Sequence, residues 1–259
     1  RVRFAALRTT RLMFLPYTER GSGDRLAFMH GFTQTKASWL PIIDLLGDGY
    51  HTISFDAPGH GDAALLPFNC SEAAEAVNNI AGDATYVGYS MGARIMLHTA
   101  LAFPEEVERL VLISGSPGLR TSEERHDRVT ADEALARRCI EQGVEAFVDA
   151  WLRGPLFAGL TTATDQRNDR ITNTTKGLAQ SLRMCGTGAQ DSLWDSLSNL
   201  TMPVLLIVGA SDPKFRAINE QMQEAIGANA ILHVVDGAGH SAHMEKPGEV
   251  AALIADFVG

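Results

Sequence analysis

The sequence predicts an α/β fold in which a mostly parallel central sheet carries helices on both faces and a helical cap insertion. Runs of buried-type strand residues alternate with helical patterns over most of the 259 residues, which is typical of strands joined by crossover helices. Between Ser114 and Leu200 this alternation stops and helical stretches follow one another. We therefore expect an α/β core from residues 1–115 and 201–259, with residues 116–200 as a helical cap.

The expected strands follow from short apolar runs bounded by turn residues. In chain order they are Leu26–Met29, His51–Phe55, Ala84–Tyr89, Leu110–Ser114, Val204–Val208 and Ile231–Val235. The run Arg11–Tyr17 is expected to add an antiparallel strand at one edge. In the cap we expect helices over Ala131–Gln142 and Val144–Trp151, and the aromatic and leucine residues after them supply part of the cap's own core.

Residues Gly88 to Gly92 form a Gly-x-Ser-x-Gly pentapeptide between a strand and the helical pattern Met91–Phe103. This context is typical of a nucleophile elbow, a sharp turn that lifts a serine hydroxyl out of the sheet and leaves no room for side chains two residues to either side. The helix that follows directs N–H groups and the positive end of its dipole at an oxyanion formed there. Ser90 is therefore the candidate reactive serine, and an ordinary turn is the alternative.

An acid and a histidine follow Ser90 in the order that this kind of site requires, each in a loop behind its own strand. Asp212 comes after Val204–Val208, and His240 lies in a loop of small residues after Ala230–Val235. Taken alone, Asp212 could equally be a turn former or a helix N-cap. Together the three residues predict a Ser-His-Asp triad. His243 is interpreted as a supporting or surface histidine.

An oxyanion hole in such a site needs the N–H of the residue after the serine and a second N–H from the loop after an earlier strand. Met91 supplies the first, and Phe32, in the loop behind Leu26–Met29, is the candidate for the second. His30 begins the same loop. We interpret it as a structural residue that bonds neighbouring backbone rather than one that moves protons.

The composition excludes several functional classes. With 31 acidic against 22 basic residues and a formal charge of −9, the chain is a poor candidate for binding nucleic acid. No run is apolar enough for a membrane span, and residues 1–3 resemble no signal peptide, so we expect a cytoplasmic protein. The three cysteines have no metal-binding spacing and are expected to be reduced thiols. No cofactor or metal is indicated, the partner is expected to be a small-molecule carboxylate or ester, and the oligomeric state is left open.

From these motifs the chain resembles the α/β-hydrolase superfamily over nearly its whole length, and within it the 2-succinyl-6-hydroxy-2,4-cyclohexadiene-1-carboxylate synthases of menaquinone biosynthesis. The resemblance implies an α/β-hydrolase fold and the elimination of pyruvate from a substrate with several carboxylates. The stretches that carry it are the loops at 30–31 and 56–61, Gly88–Arg94, Pro117–Leu119 with Arg125 and Arg128, Trp151 with Pro155–Phe157, Gly177–Ala179, Ser181–Arg183, Gly186–Gly188, Asp212–Phe215 and Gly239–His243.

The resemblance also implies a set of substrate-binding residues. Arg94 and Arg128 would bind substrate carboxylates, Tyr89 and Trp151 would line the pocket, and Arg170 is the preferred candidate for a third arginine. Because the chain is acidic overall, an anionic ligand must find local cations, and Arg94 lies one helical turn from Ser90 on the same face. The alternative for Arg94 is a tether to the cap or a surface ion pair.

Three functions remain open at this stage. In a lyase, Ser90 made basic by His240 removes a substrate proton, and no covalent intermediate forms. In a carboxylesterase acting on small or short-chain esters, Ser90 attacks the carbonyl and forms an acyl-enzyme. The third interpretation is a non-catalytic ligand-binding protein, against which an intact triad argues.

Overall fold

The computed structural model describes residues 13–259 and contains the expected mostly parallel sheet. Its strands are β1 (Tyr17–Arg20), β2 (Asp24–Met29), β3 (Tyr50–Phe55), β4 (Ala84–Tyr89), β5 (Val107–Ile113), β6 (Val204–Gly209) and β7 (Ala230–Val235). The seven strands of the described sheet lie in the order β1-β3-β2-β4-β5-β6-β7, and β1 is antiparallel to β3 while all other neighbours are parallel.

Ten α-helices of the described residues surround the sheet. They are α1 (Leu40–Leu46), α2 (Cys70–Ala81), α3 (Met91–Ala102), α4 (Ser122–Gln142), α5 (Val144–Leu152), α6 (Arg167–Arg170), α7 (Thr175–Cys185), α8 (Pro213–Ile226), α9 (Ala242–Glu245) and α10 (Pro247–Val258). Helices α4 to α7 lie in the chain between β5 and β6, where the sequence predicts the cap.

The antiparallel edge strand exists, but it lies further along the chain than predicted. Arg11 and Leu12 fall outside the described residues, residues 13–16 are not strand, and β1 begins at Tyr17. The physical reason is Pro16, which has no N–H to donate to a ladder and therefore favours a position just before a strand rather than inside one.

Side chains of the central strands alternate between two apolar layers, as the period of a strand requires. On β5, Leu110 and Leu112 pack into the layer beneath α2, α3 and α8, whereas Val111 and Ile113 pack against α1 and α10. Both faces of the sheet are therefore buried, which explains why the sequence shows continuous apolar runs rather than alternating ones.

The parallel register brings the loops that carry the predicted site to one edge of the sheet. Met29 at the end of β2 is paired with Gly88 near the end of β4, Tyr89 with Ile113, and Gly209 with Val235. The loops after these strands consequently emerge side by side at the carboxyl edge, where open α/β sheets bind their ligands.

Candidate active site

Ser90 lies in a strained turn between β4 and α3. Its φ of 52° and ψ of −107° lie in a region that residues with a side chain rarely adopt. A Cβ atom on Gly88 would lie 2.6 Å from the carbonyl oxygen of Gly92, and a Cβ atom on Gly92 would lie 2.1 Å from the carbonyl oxygen of Met29. Both glycines are therefore sterically required, which is the property expected of a nucleophile elbow.

The three residues of the predicted triad are joined by hydrogen bonds. Ser90 Oγ lies 3.1 Å from His240 Nε2, and His240 Nδ1 lies 2.7 Å from Asp212 Oδ2. The His240 and Asp212 side chains are only 3% and 6% exposed. This chain of contacts holds the imidazole with Nδ1 towards the carboxylate and leaves Nε2 to accept the serine proton.

Asp212 combines the two roles that the sequence presented as alternatives. Its Oδ1 accepts the N–H of Phe215 at 3.2 Å and so caps α8, while Oδ2 faces His240. Burial alone would raise the pKa of Asp212, but the hydrogen bond and charge of His240, with smaller contributions from Phe215 N–H and Lys214, outweigh it and lower the pKa. The carboxylate is thus kept ionised beside the imidazole.

Contacts that the sequence did not indicate hold His240 in place. The Ser114 hydroxyl donates to the His240 carbonyl at 2.7 Å, and the Phe215 ring packs 4.4 Å from the imidazole, between ring centroids. The Glu245 carboxylate accepts the N–H groups of Gly239 at 2.8 Å and Ser241 at 3.2 Å, one on each side of His240. In the sequence, Glu245 is recognisable only as a carboxylate five residues after His240. That spacing does not show that its side chain binds the backbone on both sides of His240.

Met91 and Phe32, the predicted oxyanion donors, both line the cavity over Ser90. Met91 is the first residue of α3, so its N–H is one of those that have no partner inside the helix. The Phe32 ring makes edge-to-face contacts with His60 and Trp151, at centroid distances of 5.5 and 5.2 Å. The two residues therefore reach the same cavity from two elements, Met91 from α3 and Phe32 from the loop after β2.

Three buried histidines, His30, His60 and His243, do not take part in the triad and are here called the neutral histidines. His30 bridges the Gly31 carbonyl at 2.8 Å and the Ala57 N–H at 3.0 Å, which agrees with its interpretation as a structural residue. Burial lowers the pKa of each of the neutral histidines, to about 4 for His30, about 3 for His60 and about 3 for His243. His243 is buried rather than on the surface, and its ring lies 4.2 Å from that of Tyr89.

The cavity over Ser90 also contains four of the five residues that the resemblance implies for substrate binding. Its wall combines apolar side chains from the cap with cations from α3, α4 and the start of α8. The residues of the predicted site that line it are Phe32, Tyr89, Ser90, Met91, Arg94, Arg128, Trp151 and His240. The wall also includes Lys214, a further cation that sequence reasoning had not assigned to substrate binding.

Arg94 is buried in the cavity wall, 7% exposed, and is not a surface arginine in an ion pair. Its guanidinium donates to Gln190 Oε1 at 2.6 Å and to the Cys185 carbonyl at 2.5 Å, and it forms no salt bridge with any carboxylate of residues 13–259. Arg94 Nη1 also lies 3.8 Å from Cys70 Sγ. Arg94 thus places a positive charge with no carboxylate partner among the described residues beside Ser90, and because Gln190 and Cys185 belong to the predicted cap, the same contacts also fit the alternative of a tether to the cap.

Arg128 and Trp151 differ from Arg94 in how their polar groups are engaged. Arg128 Nε donates to Asp132 at 2.8 Å and the side chain is 40% exposed, so its charge is already compensated. Trp151 Nε1 is buried and has no hydrogen-bond partner within the described part of the chain. The Trp151 side chain thus lines the cavity while its indole N–H stays buried without a partner from the described residues.

Arg170 does not line this cavity, so the structure lends no support to its prediction as a third substrate-binding arginine. It is 1% exposed, and its guanidinium donates to the Asp165 carbonyl, the Phe32 carbonyl and Thr33 Oγ1. Arg170 ends the short helix α6, which starts after Gln166 in a left-handed conformation, and its guanidinium reaches the loop after β2. Sequence spacing does not show such contacts.

Membrane-spanning helices and metal clusters are both absent from the described residues. No helix among them is long and apolar enough to span a membrane, and no three His, Cys, Asp or Glu side chains between residues 13 and 259 converge to hold a metal ion. Cys70, Cys139 and Cys185 are buried free thiols.

With this fold and site, the chain belongs to the Alpha/beta hydrolase family, whose sequence profile matches residues 26–253. It is 35% identical over 92% of its length to a Bacillus subtilis (strain 168) protein provisionally named 2-succinyl-6-hydroxy-2,4-cyclohexadiene-1-carboxylate synthase, of which 91% is covered. A Salmonella arizonae enzyme with that synthase name is 30% identical over 90% of this chain and 93% of its own.

A solved structure agrees with these relatives. The structure named as MenH from S. aureus superposes with a TM-score of 0.86 at 28% identity and covers 93% of this chain and 97% of its own. The chain is accordingly an α/β-hydrolase-fold enzyme that resembles the synthases of menaquinone biosynthesis, as its motifs indicated.

Proposed function

We propose that this enzyme eliminates pyruvate from a multi-carboxylate precursor to form 2-succinyl-6-hydroxy-2,4-cyclohexadiene-1-carboxylate. The observation that carries the proposal is Arg94, a buried cation with no carboxylate partner among the described residues, in the cavity that also contains Ser90 and His240. A buried charge without a counter-ion is costly unless a ligand supplies one. A carboxylate substrate would do so, and the likeness to the named synthases supports that choice.

In the proposed reaction Ser90 acts as a base rather than as a nucleophile. Asp212 orients His240, His240 accepts the Ser90 proton, and the serine oxygen removes a proton from carbon of the bound substrate. The electron pair of the broken C–H bond moves into the ring system, and the bond between ring carbon and the enolpyruvyl oxygen breaks. His240 gives the proton it took from Ser90 to the departing oxygen, the enol leaves and tautomerises to pyruvate, and Ser90 keeps the proton removed from the substrate. Backbone N–H groups of Met91 and Phe32 would stabilise the enolate-like charge. No water is consumed and no bond to Ser90 forms.

The remaining wall residues have proposed roles in binding. Arg94 would hold one substrate carboxylate with its charge, and Arg128 would hold a second less strongly because Asp132 already pairs with it. Trp151 lines the cavity beside Phe32 and would contact the substrate through its ring. Tyr89 would act through its ring, since its hydroxyl is engaged with Ser241 Oγ at 2.7 Å.

The alternative is a carboxylesterase, which would use the same triad through a covalent acyl-enzyme. The observation in its favour is the apolar side of the cavity, which Phe32, Leu156, Phe157 and Leu182 form together. Such a wall suits a short acyl chain as well as a substrate ring. The two functions differ in whether Ser90 becomes covalently modified.

The experiment that tests the proposal compares two substrates on one preparation. Pyruvate release from the menaquinone-pathway precursor is measured beside p-nitrophenolate release from p-nitrophenyl butyrate, with Ser90→Ala as the control for both. We expect kcat/KM for pyruvate release to exceed that for the ester by at least about 100-fold, and intact-mass spectra during turnover to show unmodified protein. Faster ester cleavage together with an acyl adduct on Ser90 would establish the esterase instead.

A further inference from the structure

The loop that contains the proposed oxyanion donor Phe32, residues 31–35 and here called the oxyanion loop, contains a strained residue. Thr33 has a φ of 71°, in the left-handed region that β-branched side chains rarely occupy. Such a conformation persists only where neighbouring groups hold it. The contacts of Thr33 therefore indicate what keeps Phe32 in position.

Both backbone polar groups of Thr33 are held by side chains from distant parts of the chain. His60 Nε2 accepts the Thr33 N–H at 3.0 Å, and Asn173 Nδ2 donates to the Thr33 carbonyl at 2.7 Å. Asn173 is 4% exposed, and its Nδ2 also lies 3.4 Å from the Gln34 carbonyl. Its Oδ1 accepts the N–H of Gly61 at 2.8 Å, so one amide joins the oxyanion loop to a second loop of the core.

Two neighbours of Asn173 in the cap bind the same loop. Arg170 Nη1 lies 3.4 Å from the Phe32 carbonyl and 2.5 Å from Thr33 Oγ1. The Asp169 carboxylate accepts the Thr35 N–H at 3.2 Å and the Thr35 hydroxyl at 2.6 Å. Residues 169–173 thus contact the backbone or side chains of consecutive loop residues from Phe32 to Thr35.

We propose that residues 169–173 form a clamp that positions the oxyanion loop, with Asn173 as its central positioning residue. The cap segment would then be part of the catalytic apparatus and not only a cover over the substrate. Arg170, which does not line the cavity, has its role here. The inference rests on the proposed use of the Phe32 N–H as an oxyanion donor, but it applies to the lyase and the esterase alike because both need that donor.

A pair of substitutions separates the two halves of the Asn173 amide. Asn173→Asp keeps an oxygen for the Gly61 N–H but replaces the donor to the Thr33 carbonyl, whereas Asn173→Ala removes both contacts. The matched control is Thr174→Ala, because Thr174 caps α7 by accepting the Gly177 N–H at 3.0 Å and forms no hydrogen bond to the oxyanion loop.

Two measurements report on the loop. Steady-state kinetics with either substrate give kcat and KM separately. The rate at which a p-nitrophenyl alkylphosphonate modifies Ser90 reports on the oxyanion site without a natural substrate. In that reaction the Ser90 oxygen bonds to phosphorus, p-nitrophenolate leaves, the proton passes to His240, and the phosphoryl oxygen occupies the oxyanion site. All rates are taken at least 10 °C below each variant's own unfolding midpoint, an interval of roughly the shift expected for 1–2 kcal/mol of lost stability.

We expect both Asn173 variants to lose about 10- to 100-fold in kcat and in phosphonylation rate with KM within about threefold, because a displaced donor costs less than an absent one. Thr174→Ala should stay within about threefold of the parent in both rates. Parent-like rates in Asn173→Asp would overturn the clamp, since the amide would then act only through Gly61, and so would equal losses in Thr174→Ala. A parent that cleaves the ester but releases no pyruvate would refute the lyase and leave this test intact.

Discussion

Removal of the Arg94 charge is the perturbation that most directly distinguishes an anionic substrate from a neutral one. Arg94→Met keeps the approximate length of the side chain and removes the cation whose partners are Gln190 and the Cys185 carbonyl. Two unit charges 4 Å apart attract by about 4 kcal/mol at an effective dielectric constant of 20, and by about 1 kcal/mol in water. Since the cavity is open but Arg94 is buried, we expect the substitution to remove about 2–4 kcal/mol of attraction between Arg94 and a substrate carboxylate. This loss corresponds to roughly a 30- to 1000-fold lower kcat/KM for the carboxylate substrate.

The assay is the same two-substrate comparison, with Arg128→Met as the matched control in the same cavity. Because Asp132 compensates Arg128 at 2.8 Å and its side chain is 40% exposed, its loss should cost no more than about tenfold on the carboxylate substrate. On p-nitrophenyl butyrate, which has no charge to bind, both variants should remain within about threefold of the parent.

Two results would refute this reasoning. An equal loss by Arg94→Met on both substrates would mean that the arginine supports the structure of the site and does not bind charge. If Arg128→Met lost more kcat/KM on the carboxylate substrate than Arg94→Met, the absence of a carboxylate partner would not identify the arginine that binds the substrate. Arg94→Met also leaves the Cys185 carbonyl without its donor, at about 1–3 kcal/mol of stability, so rates are compared well below its unfolding temperature.

Three further predictions concern the triad and its surroundings. Asp212→Asn should lower kcat by about 10³- to 10⁴-fold by favouring the wrong imidazole tautomer. The Tm should stay close to that of the parent because asparagine caps α8 equally well. A loss of kcat below tenfold would contradict the triad. Glu245→Gln should lower kcat about tenfold at unchanged KM by loosening the His240 loop. The control is Glu249→Gln, at an exposed glutamate nearby, which should match the parent. Similar kcat values in the two variants would disprove the role of Glu245. Because the neutral histidines have pKa values of about 3–4 in the folded protein against 6.5 for the free side chain, the unfolded chain binds their protons first as the pH falls. The free energy of unfolding should therefore drop below pH 6.5 by about 1.4 kcal/mol per histidine per pH unit. His98, whose pKa burial also lowers to about 4, contributes in the same way. His243→Phe should consequently reduce the slope by about a quarter in urea titrations at pH 7 to 5, and an unchanged slope would argue against the buried neutral ring.

The core of the fold was predictable because its signals are local. Strands buried on both faces must be apolar throughout, so β4 to β7 appear in the sequence as short continuous runs, and the observed bounds differ from the predicted ones by three residues at most. Close packing at Gly88 and Gly92 excludes every other residue type, so the elbow was visible as a pattern. The Ser90, Asp212 and His240 positions followed from parallel register, which places the loops after successive strands at one edge.

The cap was less predictable because its determinants are contacts between distant residues. Helix α4 begins at Ser122, well before the predicted Ala131, since its start depends on a polar capping box between Thr121 and Glu124 rather than on an apolar pattern. The position of Arg170 is set by contacts with residues far away in the sequence, the Phe32 carbonyl and Thr33 Oγ1. Neither feature leaves a periodic signal in the sequence.

The choice between elimination and ester hydrolysis depends on the cavity wall and not on the triad. The Ser90 to His240 contact serves a proton abstraction as well as a nucleophilic attack, because in both reactions His240 accepts the serine proton and the oxyanion donors stabilise negative charge. What differs is which substrate atom is held against Ser90 Oγ. In a chain with a formal charge of −9, the overall field repels a multiply charged anion, so a buried cation such as Arg94 must supply the local attraction that orients it. Substitution of Arg94 should therefore change which reaction predominates, while substitution of Ser90 should abolish both.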